Sequence, residues 1–175
     1  MNSLLNLLQN PLERRILFYF GIFGKISDRD HIYLSLNKEE LLKKLHKFEK
    51  LDLIEIGKGI KLTRLGYDVI KLDIIFLDTF FELVEVFLKD LSLKDFFIEK
   101  SKLPCVYYDA LSRAIKLFLY FVHSYRNSLC SLEKRDLFST LNHSKDCEVC
   151  KLMLVTLKQD EVLKPVIERL IEHSK

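Results

Sequence analysis

The sequence predicts a mainly α-helical chain with one small β-hairpin, organised as two domains. Only five of the 175 residues are glycine and three are proline, so few positions can form the tight turns of a β-sandwich or barrel. Leucine, lysine, glutamate and phenylalanine are abundant, and apolar residues recur at helical spacing along most of the chain. With 49% hydrophobic residues, the chain can bury one good core or two small ones, but it is too short for a large multidomain enzyme.

Charges of both signs are plentiful, with 28 lysines and arginines against 25 aspartates and glutamates, which excludes a disordered or histone-like basic chain. The basic excess lies in residues 1–72, whose net charge is +4, while the remaining residues carry −1. Even the most apolar run, Ile74–Leu88, contains three carboxylates, and the apolar start lacks the basic region and cleavage site of a secretory signal. We therefore expect a soluble, cytoplasmic protein with no membrane partner.

The first helix is predicted to begin at Pro11 and to end before Gly24, because glycine commonly follows the last turn of a helix. Its apolar residues at helical spacing are Leu12, Ile16, Tyr19, Phe20 and Phe23. Ser27 is predicted to cap a short second helix that ends near Leu34.

The third helix is predicted over residues 38–50. Asn37 can cap it while Glu40 reaches back to complete a capping box. At 100° per residue, one face carries apolar side chains and the opposite face carries lysines. The predicted apolar face consists of Leu41, Leu42, Leu45 and Phe48, and the lysine face of Lys43, Lys47 and Lys50.

A hairpin is predicted after this helix, because the apolar period changes from helical to alternating. Two short β-runs, residues 53–56 and 60–62, flank the turn Gly57-Lys58-Gly59. Helical periodicity resumes after Leu62, with Thr63 as a predicted cap.

The order helix, helix, capped helix, hairpin, helix over residues 10–70 resembles the winged helix-turn-helix family of DNA-binding domains. The stretch LLKKLHKFEKLDLIEIGKGIKLTRLGY carries the resemblance, which is closest to regulators of archaea and their viruses. It implies a recognition helix at residues 38–50 and a wing at residues 53–64, which contact duplex DNA in a transcriptional regulator. The residues expected to contact DNA are Lys43, Lys47, Lys50, Lys58, Lys61 and Arg64.

Two other functions remain open on the sequence. The third helix also carries Glu39 and Glu40, and it contains none of the arginine, asparagine or glutamine side chains that most often read bases. A winged-helix adaptor that binds another protein, without binding DNA, is therefore the alternative. A third hypothesis is a sensor whose aromatic-rich helical domain binds a small apolar ligand.

A long helix is predicted from residue 63 to residue 91, which contain no proline and whose apolar residues follow a period of about 3.6. A helix of about 43 Å is too long for a 60-residue domain to bury alone. It is expected to pack on the C-terminal helices, on a second copy in a homodimer, or on both. A homodimer would place two recognition helices about 34 Å apart on a palindromic site.

Residues 71–175 are predicted to form an all-helical domain for dimerisation or regulation. Ser92 is expected to cap one helix, another runs over residues 107–129, and a last amphipathic helix is begun or kinked by Pro165. No phosphate loop, metalloprotease motif or nucleophile elbow is present, so we expect no enzymatic activity.

Three cysteines and one histidine form the pattern C-x12-H-x3-C-x2-C. Their thiolates and imidazole are the ligand set that a tetrahedral structural zinc prefers. The residues of this candidate site are Cys130, His143, Cys147 and Cys150. A redox-active pair, Cys147 and Cys150, is a second interpretation, and unrelated thiols, including Cys105, are a third.

Overall fold

The computed structural model describes residues 2–133 and 135–175, and this part of the chain is mainly helical with one two-stranded antiparallel sheet. The elements are α1 (Asn2–Gln9), α2 (Pro11–Phe23), α3 (Asp30–Tyr33), α4 (Lys38–Lys50), β1 (Ile54–Ile56), β2 (Ile60–Leu62), α5 (Arg64–Leu88), α6 (Leu93–Lys100), a 3₁₀ turn (Cys105–Tyr107), α7 (Tyr108–Ser124), α8 (Leu137–His143), α9 (Glu148–Leu157) and α10 (Lys164–His173). Among these helices, none combines the length and the hydropathy that crossing a bilayer requires.

The chain divides into two compact units. The first contains the chain up to Lys71 together with Glu161–His173, and the second contains Leu72–Asp160 with the last two residues. The division expected from the sequence, 1–70 and 71–175, differs from these units in the last helix. Helix α10 packs on α2 and α3 and so belongs to the first unit.

Helix α2 begins and ends where the sequence predicts. The Asn10 side chain accepts a hydrogen bond of 2.9 Å from the Leu12 N–H, and Pro11 occupies the first turn. Gly24 follows the last turn with a φ of 64°, a conformation that glycine adopts without a steric penalty. The helix after it, α3, begins only at Asp30, because the N–H and hydroxyl of Ser27 donate to the Asp30 carboxylate instead of capping a longer helix.

The capping box of α4 is confirmed. Asn37 accepts from the Glu40 N–H at 2.8 Å, and the Glu40 carboxylate accepts from the Asn37 N–H at 3.2 Å. Leu41, Leu45 and Phe48 are buried. The prediction that Leu42 shares their face is wrong, because it lies 100° around the helix from Leu41 and is 53% exposed.

The hairpin is confirmed, with Ile54 opposite Leu62, Glu55 opposite Lys61 and Ile56 opposite Ile60. A hydrogen bond connects its second strand to the end of α2, since the Ile60 N–H donates to the Gly24 carbonyl at 2.8 Å. At its base, the Thr63 N–H donates to the Leu53 carbonyl at 3.0 Å, and the Thr63 hydroxyl accepts from the Gly66 N–H at 3.1 Å. Thr63 thus closes the hairpin and starts α5, as predicted.

In the second unit, other parts of the same chain pack against the apolar side of α5. Phe76, Phe80 and Phe81 are buried there. The Phe87 ring contacts Phe118 and Phe121 of α7 edge-on, with ring centroids 5.7 and 6.3 Å apart. Of the two packing partners left open by the sequence, the intramolecular one is therefore present. The homodimer stays a prediction.

Helices α6, α7 and α10 were predicted, with one difference in length, whereas α1 and α8 were not predicted. Ser92 caps α6 through the Asp95 N–H at 3.1 Å, and Pro165 lies in the first turn of α10, which begins at Lys164. Helix α7 ends at Ser124 instead of residue 129, because Tyr125 is extended and its hydroxyl donates to the Ser128 carbonyl at 2.6 Å. The described residues between α7 and α8 form an irregular segment, and Cys130 lies in it.

Candidate functional site

Three cysteines and a histidine that are separate in sequence meet at one point of the second unit. The ligand atoms of Cys130, His143, Cys147 and Cys150 all lie within 4.8 Å of one another. Cys147 and Cys150 are buried, and the other two side chains are partly buried. The predicted clustering of these four residues is confirmed, and the cluster could hold a metal ion.

Local structure brings each of the four ligands to this point. Asp136 caps α8 by accepting from the Ser139 N–H at 2.9 Å, and this helix ends at His143. Cys147 is the N-cap residue of α9 and Cys150 lies in its first turn, so the three-residue spacing turns both sulfurs to the same side. Cys130 reaches the cluster from the irregular segment after α7.

One sulfur–sulfur distance within the cluster is close to that of a tetrahedral zinc site. The Sγ atoms of Cys130 and Cys150 are 3.7 Å apart, and the Nδ1 atom of His143 lies 3.2 Å from the Cys150 Sγ. Two sulfurs bound to one zinc ion at about 2.3 Å would be separated by about 3.8 Å. The cysteines are present as thiols, since the sulfurs are far beyond the bond length of a disulfide.

A contact at the Nε2 atom orients the imidazole ring of His143. Its Nε2 atom lies 3.4 Å from the Ser131 hydroxyl, while its Nδ1 atom faces the sulfurs. Metal-bound histidines in general have such a partner on the other ring nitrogen, which fixes the ring and its tautomer. Ser131 is a residue that sequence reasoning missed, although its position next to Cys130 is the signal that could have suggested it.

The pKa values of Cys130 and Cys150 are shifted in opposite directions. Burial, followed by the charge of Cys130, raises the pKa of Cys150. Burial also opposes ionisation of Cys130, but hydrogen bonds from the Leu132 backbone, from Cys147 and Cys150 and from the Arg135 guanidinium outweigh it and lower the pKa of Cys130. The Cys130 thiol therefore ionises more readily than an ordinary cysteine thiol.

The lysines and arginine expected to contact DNA are exposed in the first unit. Lys43, Lys47 and Lys50 lie on the outer side of α4, and the remaining three lie on the hairpin and the first residue of α5: Lys58, Lys61 and Arg64. The outer side of α4 borders a shallow depression of about 520 Å³, lined by Lys43, His46, Lys47, Lys50 and Leu51. His46 is a member of this surface that sequence reasoning missed.

Nearby carboxylates partly neutralise the positive charge of two of these lysines. The Lys43 Nζ lies 2.7 Å from a Glu39 oxygen on the exposed side of α4. The Lys47 Nζ lies 3.3 Å from an oxygen of Glu13, a 6%-exposed side chain of α2 that also contacts Lys44. Lys47 therefore holds α4 against α2 in addition to facing solvent. Within the described residues, neither Lys50 nor Lys58 has a salt-bridge partner.

Comparisons with protein-family models, curated proteins and solved structures found no match to this chain.

Proposed function

We propose that the protein binds duplex DNA as a transcriptional regulator, with α4 as the recognition helix and the β1–β2 hairpin as the wing of a winged helix-turn-helix domain. The observation that carries the proposal is the exposed row of Lys43, Lys47 and Lys50 on one side of α4. A helix with one free polar side can enter the major groove, and lysines along it can neutralise phosphates. The wing lysines extend the same positive charge to the flanking backbone.

Affinity in this proposal comes from phosphates more than from bases. The outer side of α4 carries lysines, His46 and Glu39, and α4 contains none of the arginine, asparagine or glutamine side chains that most often read bases. Binding should therefore depend steeply on salt, and discrimination between sequences should be modest.

Fluorescence anisotropy with a labelled random duplex tests the proposal. Lys43→Glu/Lys50→Glu is a sharper variant than one that includes Lys47, because Lys47 also pairs with the buried Glu13. Lys94→Glu/Lys102→Glu is the matched control, since it makes the same charge change at exposed residues of the second unit. We expect a loss of at least about tenfold in affinity for the first variant and little change for the control. Equal losses in both variants would contradict a recognition helix.

A protein-binding adaptor is the second candidate, and the exposure of Leu42 favours it. This leucine is 53% exposed and lies near His46 and Glu39 on the outer side of α4, where a duplex-binding surface has no need for an apolar side chain. If wild type fails to bind DNA even at low salt, the adaptor becomes the better interpretation. Leu42→Glu would then abolish partner binding while Lys43→Glu/Lys50→Glu would not.

We also propose that the Cys130, His143, Cys147 and Cys150 cluster holds a structural zinc ion. The 3.7 Å separation of the Cys130 and Cys150 sulfurs carries this proposal, because it is close to the separation of about 3.8 Å that one zinc ion imposes. Four protein ligands leave no open position for a substrate, which is typical of structural sites. The ion would join Cys130, from the segment after α7, to α8 and α9.

Metal content and Co²⁺ substitution test the zinc proposal. We expect one zinc per chain by elemental mass spectrometry, and Co²⁺ should give the strong visible absorption of a tetrahedral thiolate site. Cys147→Ser should lose both signals, while Cys105→Ser, which alters an exposed cysteine outside the cluster, should keep them. A wild-type protein that binds neither ion would contradict the proposal.

A further inference from the structure

A carboxylate is buried beside the lysines of α4. Glu13 belongs to α2, and its side chain is only 6% exposed. One of its oxygens, Oε1, accepts hydrogen bonds from the amine of Lys44 and, at 3.3 Å, from the amine of Lys47. The other oxygen, Oε2, is buried and has no hydrogen-bond partner within the described residues. Half of the carboxylate is left unsatisfied, which is costly for a buried anion.

The packing of α4 does not depend on this charge. Apolar side chains of α4, among them Leu45 and Phe48, are buried and hold the helix in place. Buried ion pairs in general contribute little net stability compared with apolar contacts of the same size. Lys44 and Lys47 are 37% and 48% exposed, so their amines would be hydrated if Glu13 were absent. The main effect of Glu13 is therefore to neutralise positive charge on α4.

Lys47 connects Glu13 to the proposed DNA-binding surface. It follows Lys43 by four residues and precedes Lys50 by three, so the three lysines lie within about 60° around α4. Its flexible side chain can direct the amine either to Glu13 or to an anion in front of the helix. The Glu13 carboxylate and a DNA phosphate are thus alternative partners of one amine.

Lys44 makes this exchange of partners feasible. Its amine contacts the same Glu13 oxygen more closely than the amine of Lys47 does. When Lys47 turns to a phosphate, Lys44 can stay on the carboxylate, so the buried anion keeps a cationic partner.

We propose that Glu13 competes with DNA phosphate for Lys47 and thereby lowers the affinity of α4 for DNA. The inference rests on the proposed DNA binding and deepens it. Each phosphate contact of Lys47 is made at the expense of its contact with Glu13, so the net gain from that contact is reduced. Glu13 touches the lysine and not the DNA, and it therefore acts as a positioning residue.

Anisotropy titrations of Glu13→Gln with a labelled random duplex test the inference. Glutamine has the same size and can still accept a hydrogen bond from Lys44, but it carries no charge. We expect the variant to bind at least about threefold more tightly at about 50 mM salt, with a salt slope larger by about 0.9, the value of one phosphate contact. Glu99→Gln, which makes the same change at an exposed residue of the second unit, is the control. Affinity and slope of Glu13→Gln equal to those of wild type would overturn the inference.

The background variant Lys47→Ala separates competition for one lysine from general repulsion of DNA by Glu13. If Glu13 acts through Lys47, adding Glu13→Gln to Lys47→Ala should change the affinity by less than about twofold. An equal gain in both backgrounds would overturn the inference.

A second substitution covers an effect of Glu13→Gln on folding. Glu13→Met should give the same gain in affinity, because an apolar side chain of similar volume often replaces a buried charge without loss of stability. Wild type that binds DNA while both folded variants gain nothing would overturn this inference alone. Wild type that binds no DNA at low salt would contradict the proposed function itself, so the two failures are distinguishable.

Discussion

The hydroxyl of Tyr19 donates a hydrogen bond of 2.6 Å to the carboxylate of Asp30, although neither side chain is exposed to water. The guanidinium of Arg169 lies 2.9 Å from both, and the Ser27 N–H donates to the other carboxylate oxygen at 2.6 Å. The buried negative charge of Asp30 is thus paired on both oxygens. This network joins α2, α3 and α10 within the first unit.

Alkaline pH should weaken the first unit through Tyr19. Burial, and then the hydrogen bond to Asp30, raise the pKa of Tyr19 above its ordinary value of about 10. The folded state therefore holds this proton more tightly than the unfolded chain. The stability due to Tyr19 is complete below pH about 10 and decreases as the pH rises further.

Urea unfolding between pH about 9 and about 11 measures this effect. Tyr19→Phe should flatten the alkaline loss of stability relative to wild type, although it also removes the hydrogen bond to Asp30. An unchanged dependence on pH in Tyr19→Phe would show that other groups cause the alkaline loss.

Replacing Gly66, at the base of the hairpin, with a larger residue is expected to lower the stability of the fold. A Cβ at this position would lie 2.1 Å from the Leu53 carbonyl oxygen, a backbone atom that cannot move without distorting the hairpin. We expect Gly66→Ala to lower the free energy of unfolding by between about 1 and about 3 kcal/mol. Gly57→Ala is the control, because a Cβ at Gly57 meets nothing within 4 Å, and its effect should stay within about 0.5 kcal/mol. Comparable losses in both variants would contradict the close approach at Gly66.

Removal of zinc should destabilise the second unit. When free zinc exceeds its dissociation constant about a thousandfold, binding contributes about 4 kcal/mol to the folded state. In a chain of this size, that corresponds to a decrease in Tm of about 10 °C on adding a chelator. Cys147→Ser should already have the lower Tm and should not respond to chelation, whereas Cys105→Ser should behave as wild type. A chelator that leaves the wild-type Tm unchanged would contradict a structural metal.

Local signals in the sequence predicted the elements near the functional surfaces well. Asn37 and Glu40 cap α4 through neighbours three residues apart, and Thr63 closes the hairpin through contacts with residues 52, 53 and 66. The four clustered residues Cys130, His143, Cys147 and Cys150 could also be found, because their spacing is typical of zinc sites and the fold confirms that they meet.

Features that depend on tertiary contacts could not be predicted in this way. The apolar character of Leu42 suggested the core, yet its angle around α4 decides its exposure. Asp30 and Arg169 are far apart in sequence, so neither segment alone could predict that they form an ion pair. For the same reason, the sequence did not predict that α10 belongs to the first unit.

The salt dependence of DNA binding tests the central claim most directly. Anisotropy titrations of wild type and of Lys58→Glu/Lys61→Glu, between about 50 mM and about 200 mM salt, give the slope of log affinity against log salt concentration. Each phosphate contact contributes about 0.9 to the slope, so the wing variant should bind more weakly with a slope smaller by about 1.8. No wild-type binding at the lowest salt, or a wing variant with unchanged affinity and slope, would contradict DNA binding through α4 and the wing.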